Sequence, residues 1–341
     1  MTMTPQSNAT LDEVARELQA RDNFVICGHV SPDGDCLGSQ LALMHVLRAC
    51  GKHAVCVLAD EEPSLDEALS FLPGFDEVMT CDGFSGAVDV FVGVDVPTVE
   101  RIGCAAKLHE RATWRITVDH HAVETTMSET VHVDPDAAAT ALLVWEIAKK
   151  LVGAPSADIA LCAYTGLCTD TGRFQYQNTD ARCLSGAAEM VAAGADPAFV
   201  AREVFQNRRL ASICLEGRAV QRMKLLADGK AALSWVDAQD FEELDAVKAD
   251  AEPLVNTLRA IRGVRVACML RQQGDVVRGS FRAKDDTDVA VIARSFGGGG
   301  HKAAAGFTLE MPMDKAIATV GEALEKLVGC DGTPAGEGVL Q

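Results

Sequence analysis

The chain contains no Cys-x-x-Cys pair and no apolar run near the ~20 residues that cross a bilayer, and positive charge is scarce. Without paired spacing, its 12 cysteines support neither a zinc ribbon nor a thioredoxin-like motif. They are scattered through apolar contexts such as Val25-Ile26-Cys27 and Ala54-Val55-Cys56, and read as buried free thiols in a reducing compartment. Met1 to Thr10 lacks the charged-then-apolar layout of a signal peptide, so a cytoplasmic protein is expected. Lys and Arg number 31 against 49 Asp and Glu, a net charge of -18. That balance argues against charge-driven binding to long duplex nucleic acid or to a membrane. It leaves room for a small anionic ligand at a metal site, because a bound ion inverts the local charge.

What is present is an ordinary globular composition, 48% hydrophobic and 23% charged over 341 residues, long enough for two domains at ~150 residues each. In the first half, short apolar runs alternate with helical spacing. Asn23 to Cys27, His53 to Leu58, Val88 to Val94 and Trp114 to Val118 read as strands. Leu11 to Ala20, Cys36 to Cys50, Asp136 to Leu151 and Ser156 to Cys168 read as helices. Such alternation predicts an α/β fold, a parallel sheet flanked by helices, with ligands beyond the carboxyl ends of the strands. Asp180 to Leu226 is helical. A second, smaller α/β unit then begins, with strands at Lys230 to Val236, Val264 to Arg271, Val276 to Arg282 and Ala305 to Glu310, and helices at Glu252 to Ile261, Val289 to Phe296 and Met313 to Val328.

Three of the first strands deliver polar residues at their carboxyl ends. His29-Val30-Ser31-Pro32-Asp33-Gly34-Asp35 sits on a strand-to-helix loop. One imidazole and two carboxylates there suit Mn²⁺, Mg²⁺ or Zn²⁺ better than a thiolate metal, and Gly34 and Gly38 permit a tight turn and a close approach. Asp95 ends the second such strand, and Asp119-His120-His121 the third. Adjacent histidines on an extended segment point in opposite directions, so both can serve one site only if the chain bends there. A fourth piece, Thr169-Asp170-Thr171-Gly172, closes the helix begun at Ser156. Four carboxylates and two imidazoles that converge need compensating cations, since clustered like charges are costly.

Asn256 to Ala305 carries nine Lys and Arg against four Asp and Glu, and arginines suit bidentate phosphate recognition. Arg259, Arg262, Arg265 and Arg271 read as solvated faces. Gly297-Gly298-Gly299-Gly300 reads as a loop whose bare N–H groups can cradle an anion, with His301 and Lys302 beside it. His45, His53 and His109 read as structural, and His132 matches no ligand motif.

His29-x-x-x-Asp33-x-Asp35, Asp95, Asp119-His120-His121 and Asp170 together resemble the four motifs of the DHH phosphoesterases. Arg278-Gly279-Ser280-Phe281-Arg282 and Gly297 to His301 resemble the substrate-binding signature of the companion DHHA1 domain. The order and extent of the match are similar to the branch of short oligoribonucleases and pAp phosphatases (nanoRNases).

The resemblance implies a DHH catalytic domain over 9–190, a helical connector over 191–226, a DHHA1 substrate-binding domain over 227–328 and a flexible tail over 329–341. It implies two divalent metal ions, manganese first, with magnesium or zinc also compatible. His29 and Asp33 would hold one ion, Asp35, His120 and Asp170 the other, and Asp95 would bridge them. Asp119 would orient a ligand histidine, and His121 would face the scissile phosphate as charge stabiliser or acid. Asp95, Asp119, His121 and Asp170 would carry catalysis, and His121, Ser280, Arg282, Gly298, Gly299, Gly300 and His301 would touch substrate. The implied partners are short single-stranded oligonucleotides and pAp-like nucleotides, with room for a homodimer. A cyclic or linear dinucleotide phosphodiesterase, a pyrophosphatase and a non-catalytic nucleotide sensor are the alternatives.

Overall fold

In a computed structural model, described here for residues 6–61 and 65–329, the chain divides into two units between Asn207 and Arg208. The first begins with α1 (Leu11–Ala20), whose first turn is closed by a capping box between Thr10 and Glu13. There follow β1 (Phe24–Cys27), α2 (Gly34–Ala49), β2 (Ala54–Val57), β3 (Val90–Val94), α3 (Ala106–Arg111), β4 (Trp114–Asp119) and β5 (Thr130–Val133). The helices α4 (Thr140–Val152), α5 (Ala157–Asp170), α6 (Ala181–Ala192) and α7 (Pro197–Phe205) complete it. Every pairing in the sheet is parallel, in the order β2-β1-β3-β4-β5. Central strands such as Phe24–Cys27 and Val90–Val94 are buried throughout, which is why they read as continuous apolar runs. One apolar cluster joins the sheet to α1, α2, α4 and α5, and a second lies on the opposite face around Phe91, Ile102 and Leu108.

Strand order reverses at β1, between β2 and β3. The loops that leave β1 and β3 therefore diverge and open a crevice at the carboxyl edge of the sheet. The helix expected from Asp136 begins four residues later, at Thr140, for a reason found in the site itself.

The second unit comprises α8 (Leu210–Arg222), β6 (Lys224–Leu226), β7 (Ala231–Val236), α9 (Ala238–Leu244), α10 (Leu254–Arg259), β8 (Val266–Gln273), β9 (Val276–Ala283), α11 (Val289–Ser295), β10 (Gly299–His301), β11 (Ala304–Leu309) and α12 (Met313–Gly329). Its sheet runs β10-β11-β9-β8-β7-β6, parallel only between β7 and β8. Helices α11 and α12 cover one face, while α8, α9 and α10 cover the β7 and β8 part of the other. Thus α7 packs within the first unit and α8 within the second. The tail expected from 329 lies, beyond Gly329, outside the described residues. Among the described residues no helix is long and apolar enough to cross a membrane.

Candidate active site

The loop from β1 to α2 places His29, Asp33 and Asp35. Asp33 is the N-cap of α2, and its Oδ1 accepts from the Asp35 and Cys36 amides at 3.1 and 3.0 Å. His29 Nδ1 lies 2.9 Å from the Val30 carbonyl. A carbonyl only accepts, so Nδ1 carries the proton and Nε2 turns inward, 3.3 Å from Asp95 Oδ2 and 3.9 Å from Asp33 Oδ1. Asp35 is buried in the first turn of α2 and accepts from the Thr140 and Ala141 amides at 2.8 and 2.9 Å and from Ser39 Oγ at 3.2 Å. Helix α4 has no side-chain cap of its own at Ala139. The Asp35 carboxylate takes that place at the positive end of the helix, which accounts for its start at Thr140. Asp95, just past β3, adopts a left-handed φ of 57°, a strained conformation for a non-glycine residue. Its Oδ1 accepts from Thr140 Oγ1 at 3.1 Å.

Strand β4 ends at Asp119, and the chain bends there, bringing both histidine rings together with centroids 4.9 Å apart. His120 Nδ1 faces the Ala137 carbonyl at 3.3 Å. Its Nε2 lies 3.5 Å from Asp95 Oδ1, 3.8 Å from Asp170 Oδ2 and 3.9 Å from Asp35 Oδ2. Asp170 is the last residue of α5, and Asn178 donates to its backbone carbonyl at 3.2 Å. His121 Nδ1 donates to Asp119 Oδ1 at 2.7 Å and lies 3.6 Å from Asp95 Oδ1. The ring that Asp119 holds is therefore that of His121, whereas the resemblance implied a ligand histidine.

All eight residues of the four motifs thus converge at the strand-order reversal. Two groups share Asp95: His29 and Asp33 on one side, and Asp35, His120 and Asp170 on the other. Sequence reasoning missed Ser39, Thr140 and Asn178. No sequence signal marked them: the uncapped start at Thr140 is visible only in the fold. His132 is buried in β5 with Nδ1 on the Ala9 carbonyl at 2.9 Å, outside the group.

The electrostatics of the group are those of a charge cluster short of cations. Burial pushes Asp35 up, and the charges of Asp95 and Asp170 push it further, well above the usual carboxylate range. The α4 amides act in the opposite direction. Burial, with Asp33 and Asp95, raises Asp170 to about 7 despite His120. Burial opposes charge on His29 and His120. The hydrogen bond to Asp95 and the Asp33 charge overcome it for the first, and the charges of Asp170, Asp95 and Asp35 for the second, so each rises to about 9. Burial alone would raise Asp95, but the His29 hydrogen bond and the charges of His120 and His121 hold it well below its ordinary value.

The donor set fits divalent cations. Ligands about 2.1 Å from one ion stand about 3 to 3.4 Å apart. His120 Nε2 and its three carboxylate oxygens, at 3.5 to 3.9 Å, are slightly wider than this and too far apart for hydrogen bonds. Among the described residues, every group of three or more His, Cys, Asp or Glu side chains close enough to share an ion lies here. Cys36 belongs to one such group, and burial, with the charges of Asp95 and Asp33, pushes its thiol far up.

In the second unit, Ser280 and Arg282 are half-buried neighbours on β9, and Arg282 Nη1 donates to the Phe281 carbonyl at 2.9 Å. The glycine run is not an open loop. Gly299 to His301 form β10, paired with β11. A Cβ at Gly298 would stand 2.1 Å from the Gly306 carbonyl oxygen, and one at Gly300 2.5 Å from that of Ala304. Close backbone approach thus explains glycine at both positions. The side chain of His301 lies outside what is described.

Residues 23–167 match the N-terminal domain of the DHH family, and residues 228–328 match the DHHA1 domain. Over 322 residues the chain is 31% identical to the bifunctional oligoribonuclease and PAP phosphatase NrnA of Thermus thermophilus, covering 92% of this chain and 93% of that one. It is 27% identical over 301 residues to the protein of the same description from Bacillus subtilis, covering 87% and 92%. A crystal structure of an exopolyphosphatase-related protein from Bacteroides fragilis superposes with a TM-score of 0.87 at 26% identity, over 93% of this chain and 95% of that one. With all four motifs gathered at one edge of the sheet and both family domains in order, the chain belongs to the DHH family.

Proposed function

We propose that this enzyme, a metal-dependent phosphoesterase, degrades very short single-stranded oligonucleotides to mononucleotides and removes the 3′-phosphate of pAp to give AMP. The observation that carries the reading is Asp95, a strained, buried carboxylate shared by two groups of ligand-type side chains beside a histidine braced by Asp119. Similarity to two oligoribonuclease and PAP phosphatase proteins over nearly the whole of each chain supports the substrate class.

His29, Asp33 and Asp95 would hold one divalent ion, and Asp35, Asp95, His120 and Asp170 a second, manganese being the first choice for oxygen and imidazole ligands. Bound there, the ions would polarise the phosphate and lower the pKa of the attacking water. The chain's own residues do the rest. Asp35 is held by α4, so its oxygens keep one orientation. Asp119 accepts the Nδ1 proton of His121, which turns Nε2 toward the departing oxygen; from there the doubly protonated imidazolium donates its Nε2–H, as hydrogen-bond donor or acid. Ser280 and Arg282 take a substrate phosphate. The net charge of -18 suits substrates with few phosphates.

The test is hydrolysis of a 5′-labelled RNA dinucleotide, pAp, a cyclic dinucleotide and pyrophosphate, each with Mn²⁺ and with EDTA, beside Asp170→Ala. Turnover of the first two, abolished by EDTA and by the substitution, is expected. Turnover confined to the cyclic dinucleotide or to pyrophosphate, or tight binding without turnover, would sink the reading.

A further inference from the structure

Strand β9 alternates strictly: Val277, Gly279, Phe281 and Ala283 are buried on the α11 and α12 side, and Arg278, Ser280 and Arg282 turn to the other face. Strand β11 does the same, with Ala304, Gly306 and Thr308 turned outward. The register sets Arg278 beside Thr308 and Ser280 beside Gly306, and on the other flank Arg271 of β8 beside Arg278. On β8 this face is covered by α10 through Ala267 and Met269. On β9 and β11 it is open, with Arg278, Gly306 and Thr308 exposed. In a chain of net charge -18, these two strands present valine, arginine, serine, glycine, alanine and threonine here, and no carboxylate.

Arg271 and Arg278 stand directly opposite each other on antiparallel strands, a pairing of like charges that is unfavourable unless something offsets it. Among the described residues nothing does so fully. Arg271 is largely buried, its Nε has no hydrogen-bond partner among them, and the Glu252 carboxylate stands off at 3.8 Å. The Arg278 guanidinium makes no hydrogen bond or ion pair among the described residues. Burial, with the neighbouring Arg278 charge, pulls the Arg271 pKa down against the Glu252 charge, which raises it. The sequence had suggested a solvated face for Arg271, which this burial contradicts. Small residues at Ser280, Ala304 and Gly306 leave the surface beside the pair low enough for a flat ring or sugar to lie on it.

From Arg282 to Arg278 is four residues of strand, about 13 Å at ~3.3 Å per residue. That is further than the two phosphates of one mononucleotide reach, and suits an extended strand with more than one internucleotide link. We propose that Arg271 and Arg278 form a second anion subsite on the open face of this sheet, which takes a backbone phosphate of a single-stranded oligonucleotide longer than two nucleotides. The inference rests on the proposed function and adds to it a preference for length.

Two arms test it on the full-length enzyme. In the first, kcat and KM are measured on pAp and on a pentanucleotide for wild type, Arg271→Gln/Arg278→Gln, and Arg271→Lys/Arg278→Lys. The ratio of kcat/KM for pentanucleotide over pAp is expected to fall about tenfold in the Gln variant through KM, and to recover in part with Lys. In the second arm, anisotropy of a labelled pentanucleotide in EDTA is followed against salt. Loss of the one phosphate contact should flatten the slope of log K on log salt by about 0.7. Exposed Arg278→Gln alone serves if the double variant does not fold. An unchanged ratio and slope, or an equal loss on both substrates, overturns the subsite. If the wild type turns over neither substrate, the proposed function fails while the salt slope still decides the subsite.

Discussion

At Asp119 one carboxylate oxygen collects three donors: the amides of His120 and His121 at 2.8 and 3.3 Å and His121 Nδ1 at 2.7 Å. The other oxygen is buried with no hydrogen-bond partner among the described residues. The first oxygen thus fixes the bend after β4 and the tautomer of His121 together. An amide in place of the carboxylate keeps the shape but can present N–H₂ to Nδ1, which must then be bare, so the imidazolium that Asp119 stabilises is lost. Asp119→Asn and His121→Ala should each lower kcat by about 10²–10⁴ while the metal content measured by elemental analysis stays at the wild-type level. The double variant should lose little more than the worse single one, and multiplicative losses would show that the two side chains act separately. The identity of these residues was legible in the sequence, since four acidic and histidine-bearing motifs follow strand or helix ends. Which histidine Asp119 serves was not legible, because it depends on a bend that spacing does not encode. Nor was the role of Thr140, which meets Asp95 and Asp35 across 45 and 105 residues.

Among the elements, α2 and α5 carry the site between them: Asp35 opens α2, and Asp170 closes α5. Their crossing is set by glycine. A Cβ on Gly38 would stand 2.6 Å from the Cys162 carbonyl oxygen, and one on Gly166 would come within 2.9 Å of Asp35 Oδ1. Backbone atoms cannot swing aside as the end of a long side chain can, so Gly38→Ala must push the helices apart. That should cost about 1–3 kcal/mol in denaturant unfolding and weaken Mn²⁺ binding in calorimetry, since the two carboxylates separate with their helices. A variant with wild-type midpoint and affinity would show that the crossing has slack. The buried strands and long helices were legible because their apolar periodicity is their packing. Five elements were not read: α3, β5, β6, α9 and β10. The strands β5, β6 and β10 have four, three and three residues at sheet edges, and α3 has six, all too short for a period. Helix α9 is mostly polar, held by the Asp237 and Asp240 capping box and by ion pairs from Arg218 and Arg222 of α8 to Asp240, and such contacts leave no mark on local periodicity.

Across the whole molecule, the acidic excess and the metal group make stability depend jointly on pH and on divalent ions. Without metal, the folded chain binds protons that the unfolded chain would release. Asp170 rises from an ordinary 3.8 to about 7, and His29 and His120 rise from 6.5 to about 9. A raised value in the folded state gives stability that is complete below the unfolded value and is lost as pH rises through the folded one. Metal-free protein should therefore lose the Asp170 contribution between pH 3.8 and about 7, and the histidine contributions between pH 6.5 and about 9. Divalent ions compete with these same protons, so their affinity rises as the protons leave. Ligand at 100 times its Kd adds about 2.7 kcal/mol, and the gain in Tm on adding Mn²⁺ should widen from pH about 6 to pH about 8.5, as the protons are lost. Scanning calorimetry with EDTA and with saturating Mn²⁺ at both pH values measures it. Asp170→Asn supplies the control: it removes one proton site and one ligand, so both the slope with pH and the gain from metal should shrink. A gain from metal that is the same at both pH values would mean that the ions bind without displacing these protons, and that the carboxylate and imidazole group is not where they bind.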